Sequence, residues 1–149
     1  KVIVPVEGID DPRSGELDPD SYAKDNGTNY LNYEDIDINR GLYDYYRALI
    51  AVRKTYPELR SATAKDIRFL KCEDNPFSTG YLVTGSKHKL AVLFNTSDRD
   101  EAEFDLGEEG WRILADMKEV FRETMAEHAS SHIKLRKLSA HLLIKENKE

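Results

Sequence analysis

Paired carboxyl groups are the first residues here that could do chemistry, because two of them can divide the roles of acid, base and nucleophile. Five acidic residues fall between positions 10 and 20: Asp10, Asp11, Glu16, Asp18 and Asp20. Their spacing does not follow the oxygen-ligand pattern of a calcium loop. We interpret them as the solvated face of a loop, and calcium or sugar binding stay open as alternatives.

Histidine and cysteine offer little for metal or thiol chemistry. Glu127, His128 and His132 would place two imidazoles four residues apart on a helix, but the intervening Ala-Ser-Ser is typical of a loop. We therefore expect no metal and no cofactor. Cys72 is the sole cysteine, which excludes an internal disulfide. It stands between Lys71 and the acidic pair Glu73 and Asp74, and we do not expect a reactive thiol there.

Three short patterns have a structural and a functional interpretation. Asn26-Gly27-Thr28 and Asn95-Thr96-Ser97 match the N-glycosylation pattern, which arises often by chance. Gly85-Ser86-Lys87 lacks the context of a phosphate loop and predicts a hairpin turn. Trp111 could be a stacking platform for a sugar or a core residue, and its position between a glycine and an apolar strand favours the core.

Composition narrows the possible functions. With 149 residues, 40% of them apolar, and a mean hydropathy of −0.64, the chain corresponds to about one water-soluble domain. No apolar run approaches the roughly 20 residues of a membrane span. The net charge of −6 arises in residues 1–40, which carry ten acids against four bases. That distribution argues against nucleic-acid binding and suits a neutral partner such as a sugar.

The front of the chain predicts a strand, a long loop and one helix. Residues 2–6 form a short apolar run broken by a proline, and residues 7–37 show no sustained period. Asp37 or Asn39 can cap a helix from about Arg40 to Thr55, which Pro57 ends. Its apolar residues recur at spacings of three and four: Leu42, Tyr45, Tyr46, Leu49, Ile50 and Val52. We expect its tyrosines, Tyr43, Tyr45 and Tyr46, to pack in a core.

The rest of the chain predicts short strands separated by turns. Seven candidates alternate or are wholly apolar: residues 67–70, 81–84, 90–94, 102–106, 111–114, 133–135 and 142–144. The stretch 117–125 is ambiguous and is taken as irregular. The fold class is therefore mainly β, an antiparallel β-sandwich over residues 61–149. The strand, loop and helix of residues 1–60 match the last strand, catalytic-face loop and outer helix of a TIM barrel.

Specific residues resemble a known family. The run LIAVRKTYPELR at residues 49–60 resembles the last barrel helix of the α-amylase family, glycoside hydrolase family 13. Its debranching members, the pullulanases, are more similar still. They carry an Asn-Ser-Tyr element, a downstream Asn and aromatic, a Tyr-Tyr pair in the helix, and a sandwich with Phe-Asn and a later Trp. The corresponding residues here are Asp20-Ser21-Tyr22, Asn29, Tyr33, Tyr45-Tyr46, Phe94-Asn95 and Trp111.

The resemblance implies a role without catalysis. Family members are retaining glycosidases whose nucleophile and acid/base lie on earlier barrel strands, so no catalytic residue is expected in this chain. Tyr22 and Asn29 are the best candidates for sugar contacts. The chain would then be the C-terminal part of an α-glucan hydrolase, secreted or periplasmic, whose sandwich stabilises the barrel. Cleavage of α-1,6 or α-1,4 bonds would be set by subsites outside it.

Another class of protein fits the same pattern. The chain could be a stand-alone carbohydrate-binding or protein-interaction sandwich with an N-terminal extension. Under either hypothesis the partner is a glucan or a protein, and neither nucleic acid nor a membrane is expected. The apolar helix face is expected to be covered, by strands of the tail or by self-association.

Overall fold

The computed structural model describes residues 15–16, 33–72, 74–121 and 130–147. The chain divides into two units between Arg40 and Gly41. The strand predicted over residues 2–6 lies outside the described residues. The predicted boundary near residue 60, between a barrel segment and a sandwich, concerns the organisation of a longer protein and stays a prediction.

In the first unit, a single helical turn precedes the main helix. Helix α1 spans Asp35–Ile38, and Asn39 follows it. The backbone N–H and the Nδ2 of Asn39 both donate to the Asp35 carbonyl, at 2.9 and 3.0 Å. The Asn39 side chain, one of two N-cap candidates for the next helix, therefore closes the turn before it.

Helix α2 spans Arg40–Thr55, as its periodicity predicts. Arg53 and Lys54 lie in its last turn, where cations suit the negative end of the helix dipole. A second turn of helix, α3, spans Glu58–Ser61, and a 3₁₀ turn spans Ala64–Asp66. None of the helices in the described part of the chain has the length and apolar character to span a bilayer.

The described part of the second unit holds seven strands, which confirms the predicted mainly β, antiparallel fold. The strands are β1 (Ile67–Leu70), β2 (Ser78–Thr84), β3 (His88–Asn95), β4 (Ala102–Asp105), β5 (Arg112–Ala115), β6 (His132–Leu135) and β7 (Ser139–Glu146). Five form one sheet in the order β1-β2-β3-β7-β5, and β4 pairs with β6 in a second sheet. All pairings are antiparallel.

The predicted turn at residues 85–87 joins β2 to β3, where the Gly85 N–H donates to the His88 carbonyl at 2.9 Å. In the stretch predicted as irregular, residues 117–121 form bends and one isolated bridge between Ala115 and Val120. Residues 122–125 lie outside the described residues.

The two sheets enclose the main core. Side chains from the inner face of the large sheet meet those of β4 and β6 in one cluster, which includes Leu82, Leu93, Phe104, Leu135 and Leu143. Trp111 lies in this cluster with 0% exposure, and its Nε1 donates to the Glu108 carbonyl at 2.8 Å. The core interpretation of Trp111 is thus confirmed.

The helices cover part of the outer face of the large sheet. Val83, Leu90 and Ile144 are paired across β2, β3 and β7, and they pack with Val52 of α2 and with Tyr56. Strand β3 is consequently apolar on both faces, as predicted for a central strand. The layers of this unit are helix, five-stranded sheet and two-stranded sheet.

The Asn95 side chain links several segments at the edge of the sandwich through hydrogen bonds. Its Nδ2 donates to the carbonyls of Asp100 at 2.9 Å and Arg136 at 3.0 Å. Its Oδ1 accepts from the Ser97 N–H and from Asn75 Nδ2, both at 3.1 Å. The side chain is 1% exposed, so the amide nitrogen of this glycosylation match is committed to the folded core.

Candidate functional site

The sugar-contact candidates Tyr22 and Asn29 lie outside the described residues, as do Glu127 and His128. His132 is exposed on β6, with its Nδ1 3.2 Å from the Ser131 hydroxyl. Within the described ranges no group of three or more His, Cys, Asp or Glu side chains is placed to hold a metal ion.

Helix α2 has one apolar face on the sandwich. Tyr45, Leu49 and Val52 are half-buried on this side. The Tyr45 hydroxyl donates to the Asp116 carbonyl at 2.6 Å, just beyond the end of β5. Burial, and then the negative charge of Asp116, raise the pKa of the Tyr45 phenol above its usual value. This contact anchors the helix to the sheet end.

A second apolar row on α2 faces solvent. Leu42, Tyr46 and Ile50, which we call the α2 row, are 59%, 60% and 54% exposed. Tyr43 is also exposed. The prediction that Tyr43 and Tyr46 pack in a core is therefore wrong for this unit. Positions four residues apart share one side of a helix, and the sandwich covers only the adjacent part of the apolar face, at Tyr45, Leu49 and Val52.

The outer face of the large sheet also carries three aromatic residues, of which Phe69 and Phe94 are exposed and Tyr81 is half-buried. Phe69 of β1 is 73% exposed and lies 6.2 Å from Tyr81 of β2, ring centre to ring centre. Phe69 and Tyr81 are direct cross-strand partners, and Phe94 of β3 lies on the same face. These three residues, the aromatic strip, form an apolar platform on the sheet.

A polar cleft of about 680 Å³ lies between α3 and the β2–β3 hairpin. The Glu58 side chain is 10% exposed, and its Oε1 lies 3.3 Å from His88 Nδ1. The Tyr56 ring contacts the His88 ring edge-on at 5.3 Å. Among the described residues nothing donates a hydrogen bond to Glu58 Oε2, which is itself buried. A buried carboxylate oxygen without a donor is costly, and this one is packed out of contact with solvent.

No pattern in the sequence indicates the pairing of Glu58 with His88. Glu58 and His88 are 30 positions apart. Glu58 is visible in the sequence only as part of the family-like run, and His88 follows a turn with no pattern of its own. The β2–β3 register and the short helix α3 bring them together, and both depend on packing rather than on local spacing.

A charged cluster lies at the same end of β3, next to the hairpin turn. Glu108 accepts from Lys145 Nζ at 2.8 Å and also from Lys89 Nζ. The hydrogen bonds from Lys145 and Lys89 lower the pKa of the Glu108 carboxyl from 4.5 to about 2. Because both lysines bind the same Glu108 carboxylate, the cluster links β3, β7 and the loop before β5.

No protein-family model, curated protein or solved structure matches this chain. The likeness of residues 49–60 to the α-amylase family therefore stays a prediction, and function is inferred from the residues and geometry above. Three surface features are candidates for contact with a partner: the α2 row, the aromatic strip and the cleft lined by Glu58.

Proposed function

We propose that this chain is the C-terminal part of an α-glucan hydrolase resembling the pullulanases, in which the β-sandwich stabilises the catalytic barrel. The bare α2 row is the single observation that carries the proposal. In this account the chain has no catalytic residue of its own, and α-glucan is bound by the whole enzyme.

The width of the apolar face of α2 supports this role. Tyr45, Leu49 and Val52 pack on the sandwich, whereas Leu42, Tyr46 and Ile50 are apolar and exposed. An outer barrel helix that also contacts a following domain needs an apolar face wide enough to reach both. Covering the exposed part of each of these three side chains is worth about 1 kcal/mol, or roughly 3 kcal/mol together.

Residues 49–60, which resemble the α-amylase family, also contain contacts that suit a helix held between a barrel and a sandwich. Arg53 Nη1 donates to the Leu59 carbonyl at 2.6 Å, and Arg60 Nη2 donates to the Lys54 carbonyl at 3.4 Å. These crossed contacts fix the turn between α2 and α3 around Pro57. A fixed turn would hold α2 at a constant position on the sheet.

A test is to produce the upstream part of the same reading frame and this chain as two polypeptides, and to assay pullulan hydrolysis after mixing. About 400 upstream residues with alternating strand and helix patterns are expected, as in a barrel with insertions. Activity should rise and saturate as this chain is added. The variant Leu42→Asp/Tyr46→Asp/Ile50→Asp should bind the upstream part about 100-fold more weakly, from the roughly 3 kcal/mol above.

Leu138→Asp is the matched control, because Leu138 is 60% exposed and lies in the β6–β7 turn. Leu138→Asp should restore pullulan hydrolysis to the upstream part as well as the unaltered chain does. Equal complementation by the triple variant and the control would overturn the proposal. So would a reading frame without barrel-like sequence upstream.

The aromatic strip favours a second candidate, a stand-alone carbohydrate-binding sandwich. Phe69, which is 73% exposed beside the half-buried Tyr81, is the kind of aromatic ring on which sugar rings stack. Under this alternative Phe69→Ser would abolish binding of the isolated chain to pullulan. Under the leading proposal the isolated chain needs no such affinity, and Phe69→Ser would leave any residual binding unchanged.

A further inference from the structure

The outer face of the large sheet is apolar over most of its length, but it is covered at only one end. The strand register shows which residues lie side by side on this face. Three successive cross-strand sets run away from the β2–β3 turn: Val83, Leu90 and Ile144; Tyr81, Val92 and Leu142; Thr79, Phe94 and Ala140. The first set is at most 3% exposed and the second is half-buried, whereas Thr79 and Phe94 in the third are exposed. None of these positions carries a charge, although a sheet face that meets water is normally polar.

Helix α2 covers the β5 side of this face. One flank of the helix, with Asp44 and Arg47, lines a cavity together with Leu114 of β5 and with Phe121. Strand β5 forms the edge of the sheet beside β7. At about 100° per residue, the α2 row lies about half a turn around the helix from that charged flank. The α2 row therefore faces the other way, across β3 and β2 toward β1.

Contacts at the C-terminal end of α2 agree with this direction. Arg53 lies on the same flank as the α2 row, three residues beyond Ile50, and its Nη1 donates to the Leu59 carbonyl at 2.6 Å. Leu59 in turn lines a cavity with Phe69 and Tyr81. The α2 row and the aromatic strip therefore border the same part of the outer face, the first as a wall and the second as the floor.

The sheet has room for a second helix beside α2. Five strands about 4.8 Å apart make a face roughly 20 Å wide, and packed helices lie about 10 Å apart. Helix α2 takes one of the two positions. The other holds only the single turn α3, whose Leu59 packs on the first cross-strand set. The described part of this unit has no further α-helix, so the second and third sets stay open beside the α2 row.

We propose that the α2 row and the aromatic strip together bind one amphipathic α-helix, which lies beside α2 across β1, β2 and β3. Its source is the outer layer of the upstream barrel, an assignment that rests on the proposed function. At about 200 Å² per ring, Phe69 at 73% and Phe94 at 39% leave about 220 Å² of aromatic surface bare. With the α2 row added, the bare apolar surface reaches the several hundred Å² that mark an interaction site.

The shape of the site favours a helix over a second sheet or a sugar. Helix α2 stands about 10 Å above the sheet, so the flat sheet of a second copy cannot cover both the helix flank and the strip. A sugar ring stacked on Phe69 would leave the α2 row bare. A helix is a rod of the same diameter as α2, and its apolar stripe can meet the wall and the floor at once.

The test is photo-cross-linking in the longer polypeptide encoded by the same reading frame. The photoreactive residue p-benzoylphenylalanine replaces Tyr46, Phe94 or Lys134, one at a time, and mass spectrometry identifies the linked peptides. Tyr46 and Phe94 are exposed in the chain by itself, so the larger ring can be accommodated. We expect both positions to link to one upstream segment of about 10 to 14 residues whose apolar residues recur at spacings of three and four. Lys134, exposed on β6 of the other sheet, is the control and should not link to that segment.

Links from position 46 to the upstream part, without links from position 94 to the same segment, would overturn this inference and leave the proposed function intact. Links from neither position would contradict both. Links from position 94 to a second copy, or to a segment without helical spacing, would also overturn the inference.

An affinity measurement on the upstream part and this chain, produced as two polypeptides, tests the strip independently. Phe69→Ser/Phe94→Ser should weaken their binding at least tenfold, whereas Leu138→Asp should leave it unchanged. Equal affinity of these two variants would refute the docking of a helix on the aromatic strip.

Discussion

Replacing Gly85 with alanine probes the close approach of the β2–β3 hairpin to Glu58. The new Cβ would lie 2.1 Å from Glu58 Cγ, 2.8 Å from Oε1 and 2.9 Å from Cδ, whereas ordinary contacts begin at 3.4 Å. The hairpin cannot easily retreat, because Asn147 holds its carbonyls. The Glu58 side chain must therefore move and give up His88. We expect Gly85→Ala to lower the free energy of unfolding by about 2 to 3 kcal/mol.

Glu58→Ala removes all three of the atoms that clash. In that background Gly85→Ala should cost less than about 0.5 kcal/mol, which gives a coupling of about 2 kcal/mol in the double-mutant cycle. Urea unfolding followed by Trp111 fluorescence measures the free energy of unfolding of each of the four proteins in the cycle. Trp111 is a suitable probe because it is the single tryptophan and is fully buried.

Gly41→Ala is the control, because a Cβ at this helical position meets nothing within 4 Å. It should be neutral or should stabilise by up to about 1 kcal/mol. An equal cost of Gly85→Ala with and without the Glu58 side chain would refute the close packing of carboxylate and hairpin.

The isolated chain should release no reducing sugar from pullulan, amylopectin or starch, because the nucleophile and acid/base are expected upstream, and turnover above buffer would contradict this. Glu108→Gln should destabilise the chain at pH 7 by about 1 kcal/mol at most, since the carboxylate is partly exposed. The lowered pKa of Glu108 makes that difference constant above pH 4.5 and lost as pH falls to about 2, as urea titrations at several pH values would show. Tyr45→Phe should cost about 1 kcal/mol through the lost bond to the Asp116 carbonyl, and Tyr46→Phe, at an exposed position, should cost nothing measurable.

Local pattern was enough to predict α2 and the existence of seven strands. The 3.6-residue period ends sharply at Pro57, and alternation in β4 and β6 leaves little choice of face. Strand β7 is the instructive case, because only residues 142–144 of Ser139–Glu146 are predicted. Its ends are polar or small, and they are extended by pairing with β3 along the whole length and with β5 on the other side.

The candidate sites could not be predicted because they depend on packing between distant segments. The sequence shows that α2 has an apolar face. It does not show which part of that face packs on the sandwich and which part stays exposed. That division depends on where the sheet lies, as the Tyr45 contact with Asp116 illustrates across 71 positions. The Glu58–His88 pair likewise requires a hairpin and a short helix that meet only in the folded unit.

The most direct test of the proposed role is an experimental structure of the longer polypeptide encoded by the same reading frame. The quantity to read from it is the exposure of Leu42, Tyr46 and Ile50, which are 59%, 60% and 54% exposed in the chain by itself. We expect all three side chains to be buried against a catalytic α/β barrel that precedes the sandwich. If they stay exposed to solvent, or are covered by a second copy of this chain, the proposal that the sandwich stabilises a barrel through α2 is contradicted.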